Sequence, residues 1–178
     1  MRFQDLPRSA HPDFDLRRIR EDDLPTLFSH LRDPAIIEAM GEGPTSVAEI
    51  AWSARDGSAV SESSPLRLAI SSRETGALVG TVGLHSALPR HRSVEIACDL
   101  APGLWGRGVA AQMTSSMVDW AHRELRCARV QATALPENNR SIALLDRCGF
   151  QREGLLRSCR VVGGRSRDFL VYSHIDLG

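Results

Sequence analysis

The apolar positions of this chain change period several times, and each change marks an element. Leu16 to Ile19 is a short strand candidate. After the acidic run Glu21-Asp22-Asp23, residues Leu24, Leu27, Phe28 and Leu31 fall at helical spacing, which predicts a first helix from about Asp22 to Arg32, stopped by Pro34. Ile36 to Met40 suggests a short turn before the Gly41-Glu42-Gly43-Pro44 break, and Thr45 or Ser46 is placed to cap a second helix through Val47, Ile50 and Trp52. Asp56 to Pro65 is Ser-rich and reads as a flexible loop. The period then falls to two. Leu66, Leu68 and Ile70 alternate with polar residues, Glu74-Thr75-Gly76 makes a turn, and Leu78 to Leu84 completes a hairpin. Arg92 to Leu100 follows as a strand with Val94, Ile96, Cys98 and Leu100 on one face and Glu95, Ala97 and Asp99 on the other. Helical spacing returns at Val109, Met113, Met117, Trp120, Ala121 and Leu125, a stripe that reads as core. Ala128 to Leu135 is a strand, Asn139 to Arg147 a short helix ended by Gly149, and Arg152 to Val162 with Arg167 to Ile175 a hairpin around Gly163-Gly164. The predicted order is β-α-α-β-β-β-α-β-α-β-β, an α/β (α+β) arrangement without internal repeat or second-domain linker.

Length and composition narrow the function classes. At 178 residues the chain suits a single domain spanning 1–178, with 1–12 expected as a flexible N-terminal segment. Charged residues make up 25% and cancel to zero net charge, so no global field draws the protein to nucleic acid or anionic lipid. All 22 basic residues are arginine, which removes a lysine Schiff base or a Walker lysine. Cys98, Cys127, Cys148 and Cys159 contain no CxxC pair and read as reduced structural thiols. With no signal-like or membrane-spanning segment, the expectation is a cytoplasmic protein acting on a small molecule or a protein segment. No His/Cys/Asp spacing suggests a metal site, and no Ser/His/Asp order suggests hydrolysis.

The chemistry concentrates in Pro102-Gly-Leu-Trp-Gly-Arg-Gly-Val-Ala-Ala111. Gly106 and Gly108 let the backbone approach a ligand, and the helix behind them offers its unpaired N–H groups and dipole to a phosphate or pyrophosphate. Gly106-x-Gly108-x-x-Ala111 formally meets the dinucleotide fingerprint. However, that reading wants an acidic residue at the end of the next strand, and Ala128 to Leu135 has no carboxylate.

A second constellation, Pro136-Glu137-Asn138-Asn139-Arg140-Ser141, then Arg147-Cys148-Gly149-Phe150 and Glu153-Gly154, joins it. Together with Glu95-Ile96, Leu100-x-Pro102 and Trp105-Gly106-Arg107-Gly108, the chain resembles the GNAT superfamily of acyl-CoA-dependent N-acyltransferases, within it the branch of the RimJ and RimL protein N-terminal acetyltransferases. The resemblance covers roughly Leu16 to Ile175. It implies a central, bent, mixed but mostly antiparallel sheet of about seven strands flanked by about four helices. In that fold the strand ending at Leu100 and the strand Ala128 to Leu135 splay apart. Backbone groups of Cys98, Asp99 and Leu100 then bond the pantetheine arm of acetyl-CoA as an added strand would, and the amides of Leu104, Trp105, Gly106, Arg107, Gly108, Val109 and Ala110 cradle the pyrophosphate. The family's loop begins with Gln or Arg where this chain has Gly103.

Acetyl transfer to an amine needs a neutral amine, a polarised carbonyl and a proton for the leaving thiolate. By resemblance Ser141 reaches the CoA sulfur as proton donor and Asn138 holds the pantetheine; alternatively Ser141 bonds backbone in a first helical turn and Asn138 closes the turn. Glu95, on a strand among apolar neighbours, is a candidate general base with a raised pKa, or a structural carboxylate paired with Arg92. His85 and His91 flank the hairpin exit, where they could touch substrate, but isolated histidines read first as solvated or satisfied loop residues. Asp33, Glu38, Glu42 and Asp168 are candidates to draw in an ammonium. The expected reaction is direct attack of a primary amine, either a protein N-terminus or a small molecule, on acetyl-CoA in a ternary complex without metal. A longer donor such as succinyl-CoA and a non-catalytic acyl-CoA sensor or scaffold are the alternatives, and the resemblance allows a homodimer.

Overall fold

The computed structural model describes residues 1–41, 43–55 and 58–176. Seven strands form one sheet: β1 (Phe14–Arg18), β2 (Leu66–Ser72), β3 (Leu78–Leu88), β4 (Ser93–Leu100), β5 (Arg129–Ala134), β6 (Gln151–Val162) and β7 (Arg165–Ile175), in the order β1-β2-β3-β4-β5-β7-β6. All neighbours are antiparallel except β4 and β5, which run parallel. The helices are α1 (Leu24–Leu31), α2 (Pro34–Met40), α3 (Val109–Arg123) and α4 (Asn139–Arg147). A parallel pair cannot be closed by a tight turn, and α3 provides the crossover between β4 and β5. The sheet and helix counts are those the sequence implied.

The alternation of the strands divides the core. Leu68, Ile70, Val82, Leu84, Val94 and Ile96 pack with Val109, Met113 and Met117 of α3 in one cluster. Ala69 and Leu78 join Leu27, Leu31 and Ile36 of α1 and α2 in a second.

Two expectations about the N-terminal half need correction. The second helix is Pro34–Met40, not the Val47 to Trp52 segment. Pro34 sits at its first turn, where a missing N–H loses nothing, and the Asp33 carboxylate accepts from the Ala35 N–H at 2.9 Å. Val47–Glu49 and Ala51–Ala54 form only 3-10 turns. Ser46 makes no side-chain cap bond, and the Thr45 hydroxyl is engaged by Glu49. Part of the loop expected from Asp56, together with Gly57, lies outside the described residues. The N-terminal segment, expected to be flexible, docks instead: Phe3 is buried edge-on against Trp120 with ring centres 5.1 Å apart, and Trp120 Nε1 donates to Asp5 O at 2.9 Å.

Strands β4 and β5 pair only at Ser93, Val94 and Glu95 against Arg129, Val130 and Gln131, and then diverge. Both remain paired on their outer sides, β4 with β3 as far as Leu100 and β5 with β7 as far as Ala134. The closed end is clamped. Arg129 donates through both terminal nitrogens to Glu153 at 2.8 and 2.6 Å, and Ser173 adds a third bond at 2.7 Å, tying β5, β6 and β7 together. The Arg129 guanidinium and the Ser173 hydroxyl hold the Glu153 carboxyl down to about 2.

A buried polar cluster fixes α1 to the open end. Asp99 on β4 accepts from His30 Nε2 at 2.7 Å, from Arg67 at 2.9 Å, and from the Thr81 N–H at 3.0 Å as well as the Thr81 hydroxyl. Burial pushes the Asp99 carboxyl up, but the bonds from His30, Arg67 and Thr81 outweigh it and leave it below the usual range. Its removal strands a largely buried guanidinium, so Asp99→Ala is expected to lose about 3–5 kcal/mol in urea unfolding at neutral pH. The sign with pH follows from the depressed folded pKa. The contribution is complete above the unfolded value of about 4 and fades as pH falls through the lower folded value, so the gap between wild type and variant should narrow by about pH 3.

Candidate active site

The divergence of β4 and β5 opens two adjoining cavities. The larger, about 340 Å³, is walled by Cys98, Asp99 and Leu100 of β4, by the loop at Leu104, Trp105, Gly106 and Gly108, and by Ala110 and Ala111 of α3. Asn138, Arg140, Ser141, Leu144 and Arg147 close it from the α4 side, with Ile36 and Met40 of α2 above. The loop's shape comes from its glycines: Gly106 and Gly108 have φ of 76° and 81°, and a Cβ at either would meet no atom within 4 Å and would project into open space. Trp105 Nε1 donates to Leu100 O at 2.7 Å, and the Arg140 guanidinium lies 4.0 Å from the Trp105 ring centre. The first N–H groups of α3, with Arg140 and Arg147, could hold an anion here, beside the part of β4 that β5 does not pair.

The smaller cavity, about 150 Å³, lies toward β6 and β7 and includes His85, Glu95, Thr133, Arg160 and Phe169. The two cavities share Met40, Cys98, Asn138, Ser141 and Leu144. Asn138 caps α4, its side-chain oxygen accepting from the Ser141 N–H at 3.0 Å, so both residues of the Asn-x-x-Ser motif stand at the junction.

Glu95 is buried with 6% exposure, and it is held differently from the sequence expectation. Its partner is Arg160 at 2.8 Å, with the Thr133 hydroxyl at 2.9 Å and Gln131 Nε2 at 3.3 Å; Arg92 bonds the Arg126 carbonyl instead. Burial pushes the Glu95 carboxyl up, yet His85, Thr133 and Arg160 together bring it below the usual range, so the raised pKa expected of a general base is corrected. Across the strand pair His85 stands opposite Glu95 in register, and Nδ1 lies 3.0 Å from the Ser86 hydroxyl. Burial pulls His85 below the ordinary imidazole value, against the pull of Glu95, so the ring is neutral at neutral pH.

Other expected residues fall elsewhere. The Asp99 side chain is spent on His30, Arg67 and Thr81, and its backbone pairs with Thr81 in the β3–β4 ladder. Val109 is buried in the core and Arg107 is exposed beyond the cavity lining, so each can offer only its backbone or a peripheral charge. Asp33 caps α2, Asp168 accepts from the Ser158 N–H, and Glu38 is exposed on α2; Glu42 lies outside the described residues. His91 is an exposed turn residue, whereas His85 is not.

One of the next two candidates was weighed in the pattern reading but set behind a loop role, and the other escaped it. His85 was recoverable by counting back from the β3–β4 turn, because strand register puts it on the same face as Glu95. Arg160 was not. The five residues of β6 from Leu156 to Arg160 stand against only the three from Phe169 to Arg167 on β7, and this bulge, with Ser158 at φ 50°, re-aims the arginine.

A mixed sheet opened between β4 and β5, with α3 as the crossover, is also the fold of a GNAT-family acetyltransferase from Bacillus anthracis, which superposes with a TM-score of 0.79 at 19% identity over 94% of this chain and 98% of that one. Residues 13–151 match the family described as acetyltransferase (GNAT) domain. YoaA of Bacillus subtilis, an uncharacterised N-acetyltransferase, is 30% identical over 160 residues, covering 89% of this chain and 90% of its own. The uncharacterised N-acetyltransferase p20 of Bacillus licheniformis is 31% identical over 164 residues, covering 89% and 90%. Among solved structures, spermidine N-acetyltransferase from Vibrio cholerae in complex with CoA and spermine superposes with a TM-score of 0.78 at 22% identity, covering 93% of this chain and 96% of that one. The chain belongs to the GNAT family and is an N-acetyltransferase, transferring an acyl group from acetyl-CoA to an amine. Among the described residues no helix is long and apolar enough to cross a membrane.

Three of the thiols are poor nucleophiles. Burial pushes Cys98 up to about 12 and Cys127 up to about 11, and raises Cys148 as well. Iodoacetamide at neutral pH should therefore label exposed Cys159 in the folded protein and spare Cys98 and Cys127, while urea should expose all four; peptide mass spectrometry reads the difference.

Proposed function

We propose that the larger cavity holds acetyl-CoA with its thioester at the Asn138–Ser141 junction, that the smaller cavity holds the amine, and that transfer is direct. The observation that carries this is the shared wall between a cavity suited to an anionic, extended donor and one bearing a carboxylate and a neutral imidazole. The residues fit the donor: Gly106 and Gly108 leave the cradle open, α3 supplies N–H groups for the pyrophosphate, and the free edge of β4 can bond the pantetheine arm.

Acetyl-CoA supplies an acetyl group on a thioester whose carbonyl carbon an amine can attack. Glu95, ionised, draws the incoming ammonium. Neutral His85 takes the proton, freeing the nitrogen lone pair to form the new C–N bond as the C–S bond breaks. Ser141 hands its hydroxyl proton to the departing sulfur and regains one from the newly acylated nitrogen. One proton leaves to solvent per turnover, and no residue of the chain is acylated.

The test is amine-dependent release of CoA thiol from acetyl-CoA over a panel of primary amines. Glu95→Gln, His85→Gln and Ser141→Ala are each expected to lower kcat by about 10²-fold or more while CoA binding persists. Because His85 accepts only when neutral, kcat should fall as pH drops through its depressed pKa. Cys148→Ala should keep its turnover. CoA binding without thiol release on any amine, or loss of turnover in a folded, CoA-binding Cys148→Ala, overturns the proposal.

A further inference from the structure

The acceptor cavity carries its charges as a pair. Glu95 is ionised, Arg160 is cationic 2.8 Å away, and His85 is neutral, so no net negative charge is presented to a visitor. A polycation entering this cavity meets one carboxylate already neutralised by a guanidinium. A zwitterion with its two charges a few bonds apart instead matches both partners, ammonium toward Glu95 and anion toward Arg160.

Arg160 is built for that second contact. Nη2 donates to Glu95, and a guanidinium has five N–H donors in a planar fork suited to a second carboxylate. Its side chain lines the cavity and is 45% exposed, against 8% for Glu95, so its remaining donors are open to solvent and to a ligand. Phe169 lies 4.9 Å beneath the guanidinium and holds its plane. The bulge that aims it is itself fixed, since the Ser158 N–H donates to Asp168 Oδ1 at 2.8 Å. A cavity of about 150 Å³ leaves room for a small acceptor.

We propose that the acceptor is an amine carrying a carboxylate close to its nitrogen, an α-amino acid, with Arg160 as the residue that selects it. This rests on the acceptor site assigned above. The same chemistry is offered by a peptide whose first residue is acidic, and the two sources separate by experiment.

Thiol release from acetyl-CoA is measured with L-leucine, L-leucinamide, isopentylamine, spermidine, and tetrapeptides beginning with aspartate or alanine. Leucine is expected to exceed its amide and its decarboxylated amine by about 10-fold or more in kcat/KM, the scale of a charge-assisted hydrogen bond. Isopentylamine is more basic than leucine and leucinamide less basic, so a preference for the acid over both cannot come from basicity. In Arg160→Gln the acid-to-amide ratio, which does not depend on the fraction of active protein, should collapse toward one, chiefly through KM. Preference for the aspartate-led peptide over both leucine and the alanine-led peptide assigns the carboxylate to a protein source and overturns the free amino acid. Equal or better turnover of the amide, isopentylamine or spermidine overturns the carboxylate requirement and leaves the transfer reaction standing. No thiol release with any amine overturns the acceptor site itself.

Discussion

The structure depends on two parallel strands that pair for three residues and then separate. Backbone N–H and C=O groups facing the gap have strong requirements for partners, and neither strand can turn elsewhere, because each is already paired along its outer edge. An extended ligand with amide groups can complete both edges. The clamp of Arg129, Glu153 and Ser173 at one end and the Asp99 cluster at the other brace the strands on either side of the gap.

Strand β4 shows how one strand serves two purposes. Glu95 and Asp99 lie on the same face, four residues apart, and both are buried carboxylates held below their ordinary range. Asp99 is surrounded by His30, Arg67 and Thr81 from α1, β2 and β3 and is a structural anchor for α1. Glu95 has one half-exposed cation and two hydrogen-bond donors at a cavity wall, so its charge stays available to something entering from outside. The difference between fold and site on this strand is a difference in what faces each carboxylate.

What could be read from the sequence was what local periodicity encodes. The helix over Asn139–Arg147, the core stripe of Met113 and Met117, and the terminal hairpin follow from spacing and turn residues within short windows. The turn that opens α3 followed from glycines at one loop. Partners set by distant strands were not legible: Glu95 meets Arg160 across 65 positions, through a bulge that breaks the two-residue alternation the reading relied on. Likewise Pro34 was taken as a stop, whereas the Asp33 cap makes it a start, because a proline ends one helix and opens the next by the same missing N–H.

The central claim is that the gap between β4 and β5 receives the donor along its backbone edges. Amide hydrogen exchange of the full chain with and without CoA tests it most directly. The account predicts added protection in the segment from Cys98 to Leu100 and in the loop and first turn from Leu104 to Ala111, with the β1–β2 pair unchanged. CoA binding that leaves those two segments unprotected, or that protects a different edge of the sheet, would contradict it.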